Sequence, residues 1–180
     1  IDTTGNGFDG TQSGGVTYAQ DGIIENAASF DALDDVITIP FNAALQPANW
    51  TVAGWFRSDG THPYGEGAQK VIAMSAPGEG GTYEMDFNEP EDSLRCSFND
   101  AANAFYQTPN INDSVTFGTW YHGACVYDSS ANTLTAYLNG AFLAELDTTG
   151  ASPDATDMPL YIGYSGDSPE RFYGQIDDVR

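Results

Sequence analysis

The chain has 180 residues, 41% hydrophobic and 13% aromatic, which is enough to bury one core and too apolar for a disordered protein. Twenty-six acidic residues against five basic ones give a net charge of −21, which argues against binding to nucleic acid or anionic lipid because phosphate is repelled. No apolar run reaches the roughly 18 residues of a membrane span, so we expect no membrane insertion. Such acidity is typical of proteins that are soluble in salt, or of loops that bind divalent cations.

The first third of the chain alternates between turn-rich stretches and short apolar strands. Residues 1–15 carry five glycines together with Asp, Asn and Phe, which favours an ordered loop over a flexible linker. Short strands are predicted at 16–18, 28–30 and 36–39, the last two around an Asp31–Asp35 turn. Residues 43–48 could form one helical turn. No other stretch has helical periodicity.

The strand at 50–56 has apolar side chains at both parities, which predicts a central strand covered on both faces. An exposed loop is expected at 59–67 and a turn at 77–81. Further strands are predicted at 70–74, 82–88, 94–98, 104–107 and 115–117.

The clearest pattern of the chain lies between Trp120 and Leu146. Residues 120–127 alternate with period two, and strands at 133–138 and 141–146 flank Asn139-Gly140, a dipeptide that favours a type I′ hairpin turn. Strands at 160–164 and 172–180 bring the count to between eleven and thirteen. We therefore predict an all-β protein, a two-sheet antiparallel jelly-roll sandwich formed by a single domain over 1–180.

The two cysteines lie on predicted strands and lack metal-binding spacing. Cys96 and Cys125 could form a cross-strand disulfide in an oxidising compartment, or remain two buried thiols. The sequence leaves both alternatives open.

Three segments resemble the laminin G-like domains of the concanavalin A-like lectin/glucanase superfamily. They are the opening TTGNGFDGTQSGGVTY with AASFDALDDVITIP, the pair WTVAGWFR and WYHGACVYDSSANTLTAYLNG, and the closing LYIGYSGDSPERFYGQIDDVR. The resemblance implies a jelly roll that binds glycans or protein partners outside the cell, often with one structural calcium ion. Compared with the family pattern, both ends look trimmed, so we expect the chain to be part of a larger protein or assembly.

The closing segment contains candidate calcium ligands. Asp177 and Asp178 are neighbours on a strand, so one carboxylate must point inward and needs a partner. We predict a calcium site formed by Asp177 with Asp2 and Asn6. The alternative is that backbone amides satisfy Asp177 while Asp2 and Asn6 stabilise turns.

One acidic motif suggests catalysis instead. Glu84, Asp86 and Glu89 fit the Glu-x-Asp-x-x-Glu pattern of laminarinase-like and licheninase-like β-glucanases, in which the two glutamates are nucleophile and acid/base. Glu84 and Asp86 share a strand face, whereas Glu89 needs a bulge to join them, and Pro90 favours the end of the strand there. We therefore expect a non-catalytic domain, with a β-glucan hydrolase as the alternative.

Candidate ligand-binding residues are aromatic, basic or imidazole side chains in loops: His62, Tyr64, Tyr164, Arg171 and Tyr173. Aromatic faces stack on sugars or proteins, and arginine donates directional hydrogen bonds. The sequence thus predicts a glycan-binding or adhesion module that is extracellular or surface-displayed, stabilised by calcium, with a glycan or surface protein as partner. A purely structural subunit-contact domain of a filament or virion is a third hypothesis.

Overall fold

A computed structural model describes residues 2–65, 67–76, 80–166 and 170–180. Within these ranges the chain forms fourteen strands and two short 3₁₀ turns, Ala43–Leu45 and Glu89–Glu91. The strands are β1 Thr11–Ser13, β2 Thr17–Asp21, β3 Asn26–Asp31, β4 Val36–Ile39, β5 Trp50–Ser58, β6 Ala68–Ala76, β7 Gly80–Asn88, β8 Ser93–Asn99, β9 Phe105–Gln107, β10 Tyr121–Asp128, β11 Thr133–Leu138, β12 Ala141–Asp147, β13 Leu160–Ile162 and β14 Tyr173–Asp177.

The strands form two seven-stranded antiparallel sheets. Sheet A has the order β1-β4-β13-β6-β7-β8-β9, and sheet B has the order β12-β11-β10-β5-β14-β3-β2. Between them lies one hydrophobic core that includes Phe56, Phe87, Phe98 and Phe172, all fully buried. The prediction of an all-β, two-sheet antiparallel sandwich is confirmed. Among the residues described, no helix is long and apolar enough to cross a membrane.

The central hairpins form as the sequence predicts. In β10 the inward positions Gly123, Cys125 and Tyr127 are buried, and the alternate positions are partly exposed. Asn139 and Gly140 have φ angles of 51° and 77°, the positive values that a two-residue hairpin turn between β11 and β12 requires. Local turn chemistry therefore fixes the register of this edge of sheet B.

A disulfide joins the two sheets through the core. Cys96 on β8 of sheet A is bonded to Cys125 on β10 of sheet B, with their Cα atoms 5.5 Å apart. Of the two alternatives that the sequence leaves open, the structure has the disulfide.

Several element predictions differ from the structure. Strand β1 was expected to be loop. The strand predicted at 115–117 is wrong: Val115 is buried, but its amide donates to Asp92 in a loop and not to a sheet. Strand β5 is central as predicted, but its outward residues are exposed or only partly buried, so a second layer does not cover that face. The turn predicted at 77–81 falls largely outside the described residues.

Several connections meet at one end of the sandwich, here called the loop end. They include 31–35, 59–67, 88–93, 108–120 and 163–172, of which residues 66 and 167–169 lie outside the described ranges. Backbone hydrogen bonds link them to each other or to strand ends, including Glu89 to Gly67, Asp113 to Glu91 and Phe172 to Gly163. The predicted ligand-binding residues lie on these connections or directly after them.

Candidate functional site

The loop end carries a cluster of two tyrosines and an arginine on the outer side of sheet A. The guanidinium carbon of Arg171 lies 4.2 Å from the ring centroid of Tyr164, and the Tyr161 ring packs edge-on against Tyr164 at 5.4 Å. Tyr164 and Arg171 also form an isolated β-bridge, and the Tyr164 hydroxyl donates to the Gly166 carbonyl at 2.8 Å. Backbone pairing and a side-chain hydrogen bond therefore hold the cluster in place.

Arg171 differs from the other basic side chains in its partners. Arg57, Lys70, Arg95 and Arg180 each form an ion pair with a carboxylate, whereas within the described ranges none is recorded for Arg171. Its hydrogen bond is a long one, 3.5 Å from Nη1 to the Asp35 carbonyl oxygen. Among the described residues, its guanidinium thus contacts an aromatic ring and a carbonyl oxygen.

Beside this cluster, a buried ion network crosses the outer face of sheet A. The Nζ atom of Lys70 lies 2.7 Å from Glu84 Oε2, 3.3 Å from Asp86 Oδ2 and 3.2 Å from Glu170 Oε2. Arg95 Nε donates to Asp86 Oδ1 at 2.9 Å. Lys70 is 3% exposed and Asp86 is completely buried. Because Glu170 belongs to the 163–172 connection, the network anchors the loop that carries Arg171.

Two of the three candidate catalytic residues are neutralised by this network. Glu84 and Asp86 share one face of β7, as predicted, and both pair with Lys70. Glu89 is not brought to them: it begins the 3₁₀ turn after β7, and its Oε1 accepts from the His62 amide at 2.6 Å and from the Gln69 side chain. Strand β7 ends at Asn88, as Pro90 suggested, and no recorded contact joins Glu89 to Glu84 or Asp86.

The remaining predicted ligand residues have different environments. The prediction that His62 is presented to solvent is wrong: it is 2% exposed, because it packs inward beneath Tyr64 and binds Glu89 through its amide. Tyr64 is 56% exposed. The Tyr173 amide donates to Gln69 Oε1 at 2.9 Å. Tyr64 and Tyr173 thus lie at the loop end, but no recorded contact joins them to the Arg171 cluster.

The three predicted calcium ligands fall into two hydrogen-bond groups, with Asp177 in one and Asp2 and Asn6, joined through Thr4, in the other. Asp177 Oδ2 accepts from the Ile23 and Ile24 amides at 2.8 and 2.7 Å. Asp2 accepts from Thr4 and Phe8, within its own loop, and Asn6 donates to Thr4 Oγ1. The recorded contacts of these residues do not make them one donor set for an ion. They match the alternative in which amides satisfy Asp177 and the other two residues stabilise turns.

The hydrogen bonds to Asp2 lower the pKa of its carboxyl to about 2; the Thr4 hydroxyl contributes most, followed by the Phe8 and Thr4 amides. Because this pKa lies below the ordinary value, the stabilisation is complete above about pH 4 and is lost as the pH falls through 2. We expect the Thr4 and Phe8 amide resonances to titrate together with a midpoint near pH 2. An NMR titration checks this, and a midpoint near pH 4 would contradict it.

A different acidic group, which the sequence analysis treated only as a turn, lies between β3 and β4. Asp31, Asp34 and Asp35 bring one carboxylate oxygen each to within 4.8 Å of one another. Burial raises the pKa of the Asp35 carboxyl against the opposing effect of hydrogen bonds from the Gly15 and Asp31 amides, and the Asp31 and Asp34 charges raise it further. Both Asp35 oxygens are thus already used in closing the turn.

Sequence reasoning missed Tyr161, Lys70 and Arg95 as members of these clusters. Tyr161 lies opposite Ala73 and Thr38 across the sheet, and Lys70 lies opposite Asp86, which in turn lies opposite Arg95. Only the pairing of strands distant in sequence brings these side chains together. The period-two alternation of residues 160–164 was a usable signal for Tyr161, since it places Tyr161 on the outward face.

The protein is a jelly-roll sandwich of two antiparallel sheets. It carries side-chain clusters on an outer face and on the connecting loops. A family model described as the Concanavalin A-like lectin/glucanases superfamily matches residues 30–180. The chain belongs to this superfamily, as the sequence resemblance predicted. A comparison with the curated proteins finds no match.

Solved structures with this fold include carbohydrate- and receptor-binding domains. Domain 4 of AbnA, a GH43 extracellular arabinanase from Geobacillus stearothermophilus in complex with arabinotriose, superposes with a TM-score of 0.73 at 19% identity, over 99% of this chain and 84% of that one. The receptor-binding domain of botulinum neurotoxin mosaic serotype C/D superposes with a TM-score of 0.76 at 14% identity, over 99% and 43%. The binding domain of Paraclostridial Mosquitocidal Protein 1 superposes with a TM-score of 0.74 at 15% identity, over 98% of this chain and 44% of that one. The chain thus spans less than half of either toxin domain.

Proposed function

We propose that this domain is a non-catalytic glycan-binding module. The observation that carries the proposal is the cluster of Arg171 on the Tyr164 ring with Tyr161 beside it. Its guanidinium has no carboxylate partner among the described residues, although the chain carries 26 acids. A tyrosine face binds the C–H face of a sugar ring, and a preoriented guanidinium donates to hydroxyl oxygens. Arabinotriose binding by the arabinanase domain of the same fold supports this class of ligand.

The candidate carboxylate pair for glycoside hydrolysis, Glu84 and Glu89, makes structural contacts with other side chains and amides. A retaining mechanism requires two carboxyls about 5–5.5 Å apart on one sugar. Here Glu84 is held by Lys70, and Glu89 by His62 and Gln69. The charges on the candidate pair are used in structural contacts, which supports a binding role over a β-glucan hydrolase.

The Cys96–Cys125 disulfide supports an extracellular or surface-displayed location, because disulfides persist in oxidising compartments. The similar structures are parts of larger proteins, which supports a role as one module of a larger protein that contacts a glycan or a surface protein.

The binding role is tested by affinity electrophoresis through gels that contain arabinan, xylan, mannan, β-glucan or polygalacturonate. We expect the wild-type chain to be retarded on at least one of them, and Tyr164→Ala and Arg171→Met each to lower the association constant by about tenfold, the effect of losing 1.4 kcal/mol of contact. Tyr18→Ala is the matched control, since Tyr18 is 47% exposed on β2 of sheet B and no recorded contact joins it to the Arg171 cluster.

Two results would contradict the proposal. Equal retardation of wild type and both variants would place the binding elsewhere. A cleared track in the β-glucan gel that disappears in Glu84→Gln would establish hydrolysis instead.

Calcium stabilisation is a separate part of the proposal, supported by the acidic composition. At about 100 times its dissociation constant, calcium is expected to raise the melting temperature of the wild type by about 5 °C relative to chelator. Asp177→Asn abolishes this shift if Asp177 holds the ion with Asp2 and Asn6. A shift that survives Asp177→Asn would place the ion elsewhere, and equal melting temperatures with and without calcium would refute stabilisation.

A further inference from the structure

The outer face of sheet B carries two of the three tryptophans of the chain. Trp50 is in the core, whereas Trp55 on β5 and Trp120, directly before β10, are only partly buried. Trp55 lies opposite His122 across the β5–β10 pair, and their rings make an edge contact at 5.3 Å. The guanidinium carbon of Arg57 lies 5.8 Å from the ring centroid of Trp120. Two partly exposed tryptophans thus lie on the outer face of sheet B, one in contact with His122 and the other beside Arg57.

An unsatisfied polar group lies on the same face. Gln175 on β14 pairs directly with Arg57 on β5, so its side chain projects beside the guanidinium. Gln175 is only 5% exposed, and its Oε1 has no hydrogen-bond partner among the residues that the structure describes. A buried acceptor without a donor is destabilising, and rotation of the terminal amide exchanges the places of its oxygen and nitrogen. A ligand hydroxyl that reaches this buried amide would therefore gain a hydrogen bond that the described residues do not make.

The part of this surface that β5 and β10 form carries no carboxylate, although the chain is strongly acidic. The outward positions of β5 from Thr51 to Arg57, and of β10 from His122 to Val126, carry no carboxylate. Two acids lie at its margin: Asp59 pairs with Arg57 at 2.9 Å, and Asp177, opposite Trp55 on β14, accepts from two backbone amides. A neutral partner is not repelled electrostatically at this surface, whereas an anionic partner is repelled by the field of 26 acids.

We infer that Trp55, Arg57, Trp120, His122 and Gln175, here called the tryptophan face, form a second saccharide-binding surface that takes a neutral polysaccharide chain. The sugar rings stack on the indoles, and their hydroxyls donate to Gln175 and accept from Arg57. The tryptophan face lies on sheet B, and the Arg171 cluster on the other side of the sandwich, on sheet A. The inference extends the proposed glycan binding to this surface but does not depend on the Arg171 cluster.

The test uses the intrinsic fluorescence of the tryptophans with arabinotriose, xylotriose, mannotriose and cellotriose as probes. Because Trp50 is in the core, a fluorescence change on binding reports on the tryptophan face. We expect at least one probe to change the emission of the wild type and of Tyr164→Ala, and to leave that of Trp55→Phe/Trp120→Phe unchanged. Trp120→Ala and Gln175→Leu are each expected to weaken binding about fivefold. Phe142→Ala is the control, since Phe142 is 63% exposed on the same sheet at its β12 edge.

The outcomes distinguish this inference from the proposed function. If gel retardation is lost in Arg171→Met and no probe changes the fluorescence, the tryptophan face fails while the proposed function stands. If the fluorescence responds but Tyr164→Ala and Arg171→Met bind normally, the Arg171 cluster fails and the tryptophan face stands. Binding to polygalacturonate alone would refute a neutral ligand. A sedimentation result in which the wild type is a dimer and Trp120→Ala a monomer would show that a second copy occupies this surface.

Discussion

Replacing Cys96 and Cys125 together by alanine is expected to lower the free energy of unfolding by about 3 kcal/mol. The bond links β8 to β10 across the core and closes a loop with a sequence separation of 29, so its removal frees the unfolded chain and also unlinks the two sheets. Guanidinium unfolding followed by tryptophan fluorescence measures the loss.

The control for this prediction is reductant. Under conditions in which the disulfide is reduced, the wild type should lose about the same stability, and the double variant should not change. Equal unfolding midpoints for the oxidised wild type and the double variant would show that the two sheets do not need this link.

The substitution Lys70→Met is expected to lower the free energy of unfolding by about 3–5 kcal/mol at pH 7, because it leaves Glu84 and Asp86 buried without their shared cation. Methionine preserves most of the side-chain volume, so the loss reports on charge. The effect is measured by urea unfolding. Adding Glu84→Gln should restore part of it, since one of the stranded charges is then removed.

Arg180→Met is the matched control for Lys70→Met, since Arg180 forms an ion pair with Asp178 but its side chain is 73% exposed. Arg180→Met should change the free energy of unfolding by no more than about 0.5 kcal/mol. An equally small effect of Lys70→Met would show that the buried network contributes nothing to folding.

The pH dependence of the Lys70 contribution follows from its surroundings. Burial alone lowers the pKa of the Lys70 ammonium, but the charges of Asp86, Glu84 and Glu170 outweigh it and raise the pKa above its ordinary value. A raised pKa means that the stabilisation is complete below the ordinary lysine value of about 10.4 and is lost only as the pH rises further. The stability difference between wild type and Lys70→Met should therefore not fall between pH 7 and 9.

The strands were predictable wherever one face is buried. The period-two pattern of β10 and the Asn139-Gly140 turn gave three strands directly, because burial and turn chemistry agree there. Strand β1 (Thr11–Ser13) has no such pattern, because every residue is polar and exposed at the edge of sheet A. The false strand at 115–117 arose because Val115 is buried by loop packing, which a hydrophobic pattern does not separate from sheet burial.

The candidate site was predictable only in its local parts. The shared face of Glu84 and Asp86 follows from strand parity, and Pro90 marked the turn that carries Glu89 away. Lys70 as their common partner depends on the register between β6 and β7, and the burial of His62 on contacts between loops. Neither follows from local spacing, because both are set by tertiary pairing.

The cross-sheet disulfide also affects how the domain responds to proteolysis. The ring that Cys96 and Cys125 close contains β9 and the 108–120 connection, where residues 116–119 are exposed. A single cut anywhere in this ring leaves both fragments covalently joined through the core, so a nicked molecule keeps β8 bound to β10. On a denaturing gel it would migrate as one species until a thiol is added. Cleavage of the loop end within this ring therefore does not break the covalent link between the two sheets.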